Sequence, residues 1–311
     1  MPYNARMPGP SEEPINASTR YCAVFGSPIK HSASPAMQNA GIAALGLSWR
    51  YLAFEVTPEE LESAIAGART MHFLGLNLTV PHKLLAFEMV DVLDESAKMW
   101  GAVNTIRFEG RSDSGEWKPL REFSDMPGEI RSQGFNTDAD AITRSLREDL
   151  GINIQGGKVL LLGAGGAGRT AALKMASDGA AEMFLINRTA SKAEDLAEEV
   201  RTRFPSVKVT VGYPTVAVDL LLNATSLGLK GDDSIPLDES KFSIGKAHAV
   251  YDMIYRPAET RLLISAKDAG CRTSNGIGML LYQGTAALEI WTGQSAPVEV
   301  MREALLKEVY G

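Results

Sequence analysis

The run "KVLLLGAGGAGRTAALKMASDG", Lys158 to Gly179, constrains this chain more than any other. An apolar, strand-forming stretch meets a glycine turn, and an alanine-rich helical pattern follows at once. Gly163, Gly165 and Gly168 form G-x-G-x-x-G, with Gly166 and Ala167 inside it. Alone, the pattern also suits a tight turn that holds nothing. Here a strand precedes it, a helix follows, and a second strand ("EMFLI") comes about 20 residues on, which is the setting of a dinucleotide-binding turn. Glycines let the backbone approach a pyrophosphate. The helix start supplies N–H donors and a partial positive charge.

The end of that second strand selects the dinucleotide. A site for NAD has an acidic residue there, bonding the ribose 2′-OH. This chain has Asn187, Arg188 and Thr189, with Lys192 a turn later. A guanidinium and a hydroxyl suit a 2′-phosphate, which an acid would repel. NADP is therefore the expected cofactor. A solvated basic corner is the competing explanation.

The rest of the chain alternates in the same way, which implies a mostly parallel sheet with covering helices. "YCAVFG", "RYLAFEV" and "GLNLTV" read as strands. "SPAMQNAGIAALG" reads as a helix with Ser34 as cap, Pro35 at its first position and Gly46 as its stop. "TPEELESAIAGAR" reads as a helix capped by Thr57, with Glu60 completing a capping box. After "EMFLI" come a helix, the strands "VDLLLNATSLG" and "AHAVYDMIY", and two helical runs, "ETRLLISAKDAG" and "GMLLYQGTAALEIWTG". Between Phe108 and Gly134 the charge is mixed and no period holds, so a long surface excursion is expected.

Composition excludes several classes. The 311 residues suffice for two domains. A net charge of −7 without a long basic run argues against general nucleic-acid binding. No apolar stretch is long enough to span a bilayer. Residues 1–20 are proline-rich and lack the pattern of a signal peptide, so a mobile leader is expected. Cys22 and Cys271 lie in apolar settings and read as buried free thiols of a reducing compartment. The four histidines show no metal-ligand spacing, so no metal is expected.

Pro81, His82 and Lys83 follow directly on the strand that ends "NLT". Pro81 ends a strand and suits a first helical turn. Thr79 and Lys83 then stand at a strand-to-helix corner, where a parallel sheet puts its ligands. A lysine on a first helical turn is slightly disfavoured by the helix dipole, which argues for a function. Other polar clusters also fall where strands end: "HSASP", "GAVNT", "NTD" and "YQG". Taken with "NLTVPHK", "GAGGAG", "NRTASK" and "NATSLG", these strings closely resemble the shikimate dehydrogenase family (shikimate 5-dehydrogenase, in the shikimate/quinate dehydrogenase superfamily). The resemblance runs from about Tyr21 to Gly293, in the family's order.

It implies a two-domain α/β chain: a leader over 1–20, a substrate-binding domain over 21–138, and an NADP-binding Rossmann domain over 139–275. Helices from about 276 to 311 would complete the substrate domain, and the two domains would face each other across a cleft. It also implies a cytoplasmic enzyme of chorismate and aromatic amino-acid biosynthesis. The reaction would be the reversible, NADP-linked reduction of 3-dehydroshikimate to shikimate, and a homodimer is left open. By the same matching Lys83 is the catalytic lysine and Asp138 its partner. A ketone receiving hydride leaves an oxyanion that needs a proton, and an ammonium can supply it. Alone, Asp138 would read as a helix cap. Ser32 and Ser34 would hold the substrate carboxylate, with Tyr255 beside them. Thr79, Asn104 and Gln283 would bond the ring hydroxyls. Thr225, Met253, Gly276 and Met279 would line the nicotinamide pocket. Turn chemistry for the serines, and plain core packing for the methionines, are the bland alternatives.

Three departures from the family pattern stand out. Ala139 and Ala141 occupy glycine positions, the 108–134 segment is long, so that a strand pair with an extended tip is expected there, and Gln38 stands where histidine is often found. Two rivals remain: the same chemistry on quinate with NAD or either cofactor, and a dinucleotide-binding regulator without activity. The serine pair speaks against the first, and the intact Lys83 and Asp138 against the second.

Overall fold

The structure is a computed structural model that describes residues 14–311. The first thirteen residues of the expected leader lie outside them. Thr19 is already buried, and the first strand opens at Arg20. The chain divides into two compact units, one reaching to Thr137 and resuming at Gln283–Gly311, the other Asp138–Tyr282.

The first unit runs β1 (Arg20–Gly26), α1 (Ser34–Ala44), β2 (Trp49–Glu55), α2 (Leu61–Thr70), β3 (Gly75–Leu78), β4 (Val92–Leu93), α3 (Glu95–Trp100), β5 (Thr105–Arg111), β6 (Trp117–Pro119) and β7 (Ile130–Phe135). The second holds α4 (Asp138–Leu150), β8 (Lys158–Leu162), α5 (Gly166–Ser177), β9 (Glu182–Ile186), α6 (Ala190–Arg203), β10 (Lys208–Val211), β11 (Val218–Asn223), β12 (Ala247–Asp252), α7 (Arg261–Asp268) and β13 (Arg272–Asn275). Helix α8 (Ile277–Thr292) begins in the second unit and ends in the first, where α9 (Val298–Tyr310) follows.

The second unit's strands lie in the order β10-β9-β8-β11-β12-β13, all parallel. This is the doubly wound dinucleotide-binding order, with the sequence direction reversing at β8. Its central strands β8, β9 and β11 are largely buried and carry apolar runs, whereas the edge strands β10 and β13 are mostly half-buried or exposed. Leu160, Leu162, Leu221, Val250 and Phe242 sit in one core cluster.

The first unit's sheet is mixed, in the order β2-β1-β3-β5-β7-β4, with β6 beside β5. β1 pairs parallel with β2 and with β3, as the alternating pattern implied. β5 then pairs antiparallel with both β3 and β7. The expected surface excursion is thus corrected. Phe108 is fully buried, and 105–111 pairs with 117–119 and 130–135 in an antiparallel ribbon, as the expected strand pair implied, leaving 112–116 and 120–129 as turn and loop. No period was visible because Arg107, Glu109 and Arg131 break the apolar pattern. Glu109 is buried on the ribbon and salt-bridged to both arginines, at 2.5 and 2.8 Å.

The C-terminal return completes this unit. Trp291 of α8 is buried and its indole N–H donates to the Ile106 carbonyl at 2.9 Å. Only glycine fits at position 75 beneath it, since an added Cβ would lie 2.0 Å from that indole nitrogen. Helix α1 packs on α9, with Gly41 between Leu288 of α8 and Met301 of α9.

Local details differ from expectation. Thr57 leads into a short 3₁₀ turn, Pro58–Glu60, and α2 starts only at Leu61. The Thr57 hydroxyl bonds the Glu60 side chain and caps no backbone N–H. Cys271 is half-buried, its thiol donating to the Ile244 carbonyl, whereas Cys22 is fully buried. Ala139 and Ala141 are buried on α4, which runs unbroken past both.

Candidate active site

In the first unit, the strand directions collect the predicted substrate residues on one edge of the sheet. β1 and β3 are parallel, so the loops after both leave at the same edge. β5 starts there and β7 ends there, because both join antiparallel pairs. Ser32 and Ser34 follow β1, Thr79 and Lys83 follow β3, Asn104 precedes β5, and Thr137 follows β7.

Ser34 is the first residue of α1, and the cap position is Ala33, which has no side chain to cap with. The capping role expected of Ser34 is therefore corrected. Ser32 takes it over in part, its Oγ accepting from the Ser34 backbone N–H at 3.3 Å, one of the donors a helix start leaves open.

The helix expected after Pro81 is also absent. Turns lead to a short 3₁₀ segment, Leu85–Glu88. The reason lies in the carbonyls. That of Lys83 accepts from Val103 N–H at 2.8 Å, so it does not extend a helical ladder. The dipole argument about Lys83 falls with the helix. What fixes Lys83 is that bond together with its neighbour His82. His82 is fully buried, its Nε2 2.8 Å from the Val56 carbonyl. Burial pulls the His82 pKa below its ordinary value, and the bond to Val56 offsets this in part. Thr79 and Lys83 are both half-buried.

Asn104 is buried at the end of a polar network that sequence reasoning missed. Tyr51 on β2 donates to Asn77 Oδ1 at 2.7 Å. The Asn77 amide donates to Thr105 Oγ1 at 3.0 Å and to the Asn104 carbonyl at 3.3 Å. Thr105 donates to Asn104 Oδ1 at 3.2 Å, and Thr137 N–H donates to the same oxygen at 2.8 Å. Asn104 Nδ2 in turn donates to Thr137 Oγ1 at 2.9 Å. The side-chain amide of Asn104 is thus fixed in orientation. The one signal available was a polar residue inside each of two apolar strand runs.

Gln283 is half-buried on α8. The carbonyl of the next residue, Gly284, accepts from Gln38 Nε2 of α1 at 2.9 Å. A Cβ at Gly284 would lie 2.2 Å from Met37, so α8 seats tightly on α1 there.

In the second unit every predicted cofactor residue follows the C-terminal end of a parallel strand: the glycine turn after β8, Asn187 to Lys192 after β9, Thr225 after β11, Met253 after β12, and Gly276 and Met279 after β13; Tyr255, predicted for the substrate, also follows β12. That edge of a doubly wound sheet is where ligands bind.

The glycines divide by role. Gly163 has φ +105°, and an added Cβ would lie 2.9 Å from Ala224. At Gly168 a Cβ would lie 2.0 Å from the Gly163 carbonyl oxygen. These two serve the turn and helix packing. At Gly165 and Gly166 an added Cβ meets nothing within 4 Å, and both are exposed with Ala167. Their lack of side chains keeps open a cradle at the start of α5, as a pyrophosphate requires. Asn187 braces this turn, its Oδ1 accepting from Ala164 N–H at 3.0 Å and its amide donating to the Thr189 carbonyl. Arg188, Thr189 and Lys192 are exposed beside it. Among the described residues neither Arg188 nor Lys192 has a carboxylate partner. A groove of about 560 Å³ adjoins them, lined by Ala190, Val211, Tyr213, Pro214 and Lys241 among others. These residues fit an NADP molecule: an open cradle for phosphates and uncommitted cations for a 2′-phosphate.

The Thr225 hydroxyl is used internally, donating to Asn223 Oδ1 at 2.8 Å and accepting from Leu227 N–H. Met253 and Met279 are half-buried, and at Gly276 a Cβ would lie 2.0 Å from the Met253 carbonyl. Tyr255 is half-buried, and burial pushes its phenol pKa up. Asp138 is the first residue of α4 and is buried.

Comparison with known proteins agrees along the chain. Residues 24–106 match the shikimate dehydrogenase substrate binding domain, 145–226 the shikimate / quinate 5-dehydrogenase model, and 276–306 the shikimate 5′-dehydrogenase C-terminal domain. The shikimate dehydrogenase (NADP(+)) of Methanopyrus kandleri is 40% identical over 95% of this chain and 98% of its own. A crystal structure of a shikimate dehydrogenase with NADP+ superposes with a TM-score of 0.80 at 34% identity, covering 96% of this chain and 98% of that one. The shikimate 5-dehydrogenase of Thermus thermophilus, solved with NADP(H) and shikimate, gives 0.77 at 33% identity, covering 93% and 99%. With no helix among the described residues long and apolar enough to cross a membrane, and with both units matched in order, the chain belongs to the shikimate dehydrogenase family.

Proposed function

We propose that this chain catalyses the reversible, NADP-dependent reduction of 3-dehydroshikimate to shikimate, a step of chorismate and aromatic amino-acid biosynthesis. The observation that carries it is the single sheet edge of the first unit, where Ser32, Ser34, Thr79, Lys83 and Asn104 all emerge. That set suits a ring with one carboxylate and several hydroxyls.

Bound nicotinamide supplies a hydride to the ketone carbon. Lys83, as its ammonium, gives a proton to the resulting oxyanion, and takes one from the alcohol in reverse. Asp138 orients that ammonium. Ser32 and Ser34 hold the carboxylate at the start of α1, where a helix N-terminus favours an anion. Tyr255 contributes its phenol to the same carboxylate. Thr79, Asn104 and Gln283 accept and donate to the hydroxyls. The glycine turn takes the pyrophosphate, and Arg188, with Thr189 and Lys192, takes the 2′-phosphate. Thr225, Met253, Gly276 and Met279 bound the nicotinamide.

Free thiols at Cys22 and Cys271 fit a cytoplasmic enzyme. A homodimer joined through the exposed edge strand β2, with Leu52 and Phe54 outward, belongs to the same proposal. Sedimentation of the purified protein tests it.

The decisive assay follows reduced-nicotinamide absorbance with shikimate or quinate and NADP or NAD. Quinate carries an extra hydroxyl on the carboxylate-bearing carbon and would crowd the serine loop. The expected kcat/KM for shikimate exceeds that for quinate by at least about tenfold, a gap of about 1.4 kcal/mol. Equal or better turnover of quinate makes the chain a quinate enzyme. No turnover of either makes it a dinucleotide-binding regulator.

A further inference from the structure

Asp252 is the last residue of β12, is fully buried, and has no part in the chemistry just described. Among the described residues no cation hydrogen-bonds to it. Instead three donors converge on its carboxylate. Oδ1 accepts from Asn223 Nδ2 at 2.9 Å and from the Ile254 backbone N–H at 3.1 Å. Oδ2 accepts from Thr260 Oγ1 at 2.7 Å. A buried carboxylate without a cation is costly unless its lone pairs are filled, so this cluster has a purpose beyond packing.

Each donor leads to a different segment. Asn223 is the last residue of β11 and pairs with Asp252 across the sheet. Its Oδ1 accepts from both the N–H and the hydroxyl of Thr225, and its amide also reaches the Leu227 carbonyl. Its own carbonyl accepts from Met253 N–H at 2.9 Å. Thr260 caps α7, accepting from Leu263 N–H. One carboxylate therefore ties together the loop after β11, the loop after β12 and the start of α7.

We propose that Asp252 is a positioning residue for the nicotinamide end of the cofactor: through Asn223 and Ile254 it sets the places of Thr225 and Met253. This rests on the assignment of Thr225 and Met253 to the nicotinamide pocket. The adenine end of the site lies after β9 and β10, and none of these three bonds reaches it. Burial raises the Asp252 pKa, and the three donors offset this only in part, so the fold holds this group against its own cost. An amide in its place puts a donor where only donors converge.

The test compares the full enzyme with Asp252→Asn, reading kcat, the Kd of NADP+, and the Kd of adenosine 2′,5′-bisphosphate, which carries only the adenine end. A misplacement of the hydride donor lowers kcat steeply, so Asp252→Asn should lose about 10–100-fold in kcat. NADP+ should weaken about three- to tenfold, and the bisphosphate should bind within about twofold of wild type. Thr260→Val removes one donor and keeps the carboxylate. It should show the same pattern with a smaller loss of kcat, and it carries the test alone where Asp252→Asn does not fold. Unchanged kcat overturns the proposal. So does equal weakening of both ligands, because that marks a general loss of structure. If wild-type enzyme oxidises shikimate and binds the bisphosphate, a failure belongs to this proposal alone. If it does neither, the functional assignment itself has failed.

Discussion

The two sheets solve the same problem in opposite ways. In the second unit the central strands β8 and β9 are apolar along their middles, as in "KVLLL" and "EMFLI", and the glycine turn and Arg188 stand beyond their ends. In the first unit polar side chains run through the buried sheet itself, from Tyr51 through Asn77 and Thr105 to Asn104 and Thr137. A dinucleotide can be held by backbone and by a few exposed side chains. A ring bearing several hydroxyls needs side-chain amides and hydroxyls fixed in direction, and a buried network fixes them. Damage to the substrate residues of the first unit should therefore appear in the chemical step, and damage at the glycine turn or the basic corner of the second in cofactor binding, cofactor choice or stability.

The largest expected effect is at Lys83. Lys83→Ala removes the proton donor and leaves the other edge residues in place. kcat should fall by about 10²–10⁴-fold, with a smaller change in KM, in steady-state assays of the folded variant. Near-normal kcat would remove the lysine from the mechanism.

The glycine turn offers a sharper contrast within one motif. Gly168→Ala forces a methyl against the Gly163 carbonyl, and overpacking there should cost about 1–3 kcal/mol in urea unfolding. Gly166→Ala meets no protein atom, so stability should hold or rise slightly while the KM for NADP climbs at least about tenfold. If both variants lose only stability, the open cradle has no role.

Arg188→Ala should weaken NADP far more than NAD. A charged hydrogen bond contributes about 1.5–3 kcal/mol, so the preference should drop by at least about tenfold. An unaltered ratio of kcat/KM for the two cofactors would mean that the corner is merely solvated.

The smallest effect concerns acid. His82 Nε2 faces the Val56 carbonyl and so carries the proton, and Nδ1 has no partner among the described residues. Its folded pKa lies below 6.5, which means the unfolded chain binds the proton more readily. The contribution of neutral His82 is complete above pH 6.5 and is lost as the pH falls from there through the folded value. His82→Gln should flatten that acid limb of Tm by about 2–4 °C. An identical limb in the variant would show that other groups cause it.

The second unit was the more legible from sequence for the same reason that it is apolar. Continuous runs, glycines and a basic corner are local signals, and Gly163 to Gly168 and Arg188 lie where those signals point. The first unit hid the extent of its β5–β7 ribbon because Arg107, Glu109 and Arg131 make a paired cluster inside it, which reads as a solvated loop. The 3₁₀ turn after Pro81 was hidden too, because the Val103 N–H that takes the Lys83 carbonyl lies twenty residues away in sequence. Asp252 drew no attention inside the run "AHAVYDMIY", since nothing local shows that Asn223 and Thr260 converge on it.

Trp291 carries a last consequence. Its indole sits over Gly75 and bonds Ile106, yet it follows Ile106 by 185 residues in the chain. The segment from Asp138 to Tyr282 is continuous and can close as soon as it leaves the ribosome. The earlier segment has been waiting since Thr137 with its sheet uncovered over Gly75 and without α9 on α1. The unit begun first is thus completed only after the second unit has been made, and a growing chain must keep that face of its first sheet from neighbours until α8 and α9 arrive.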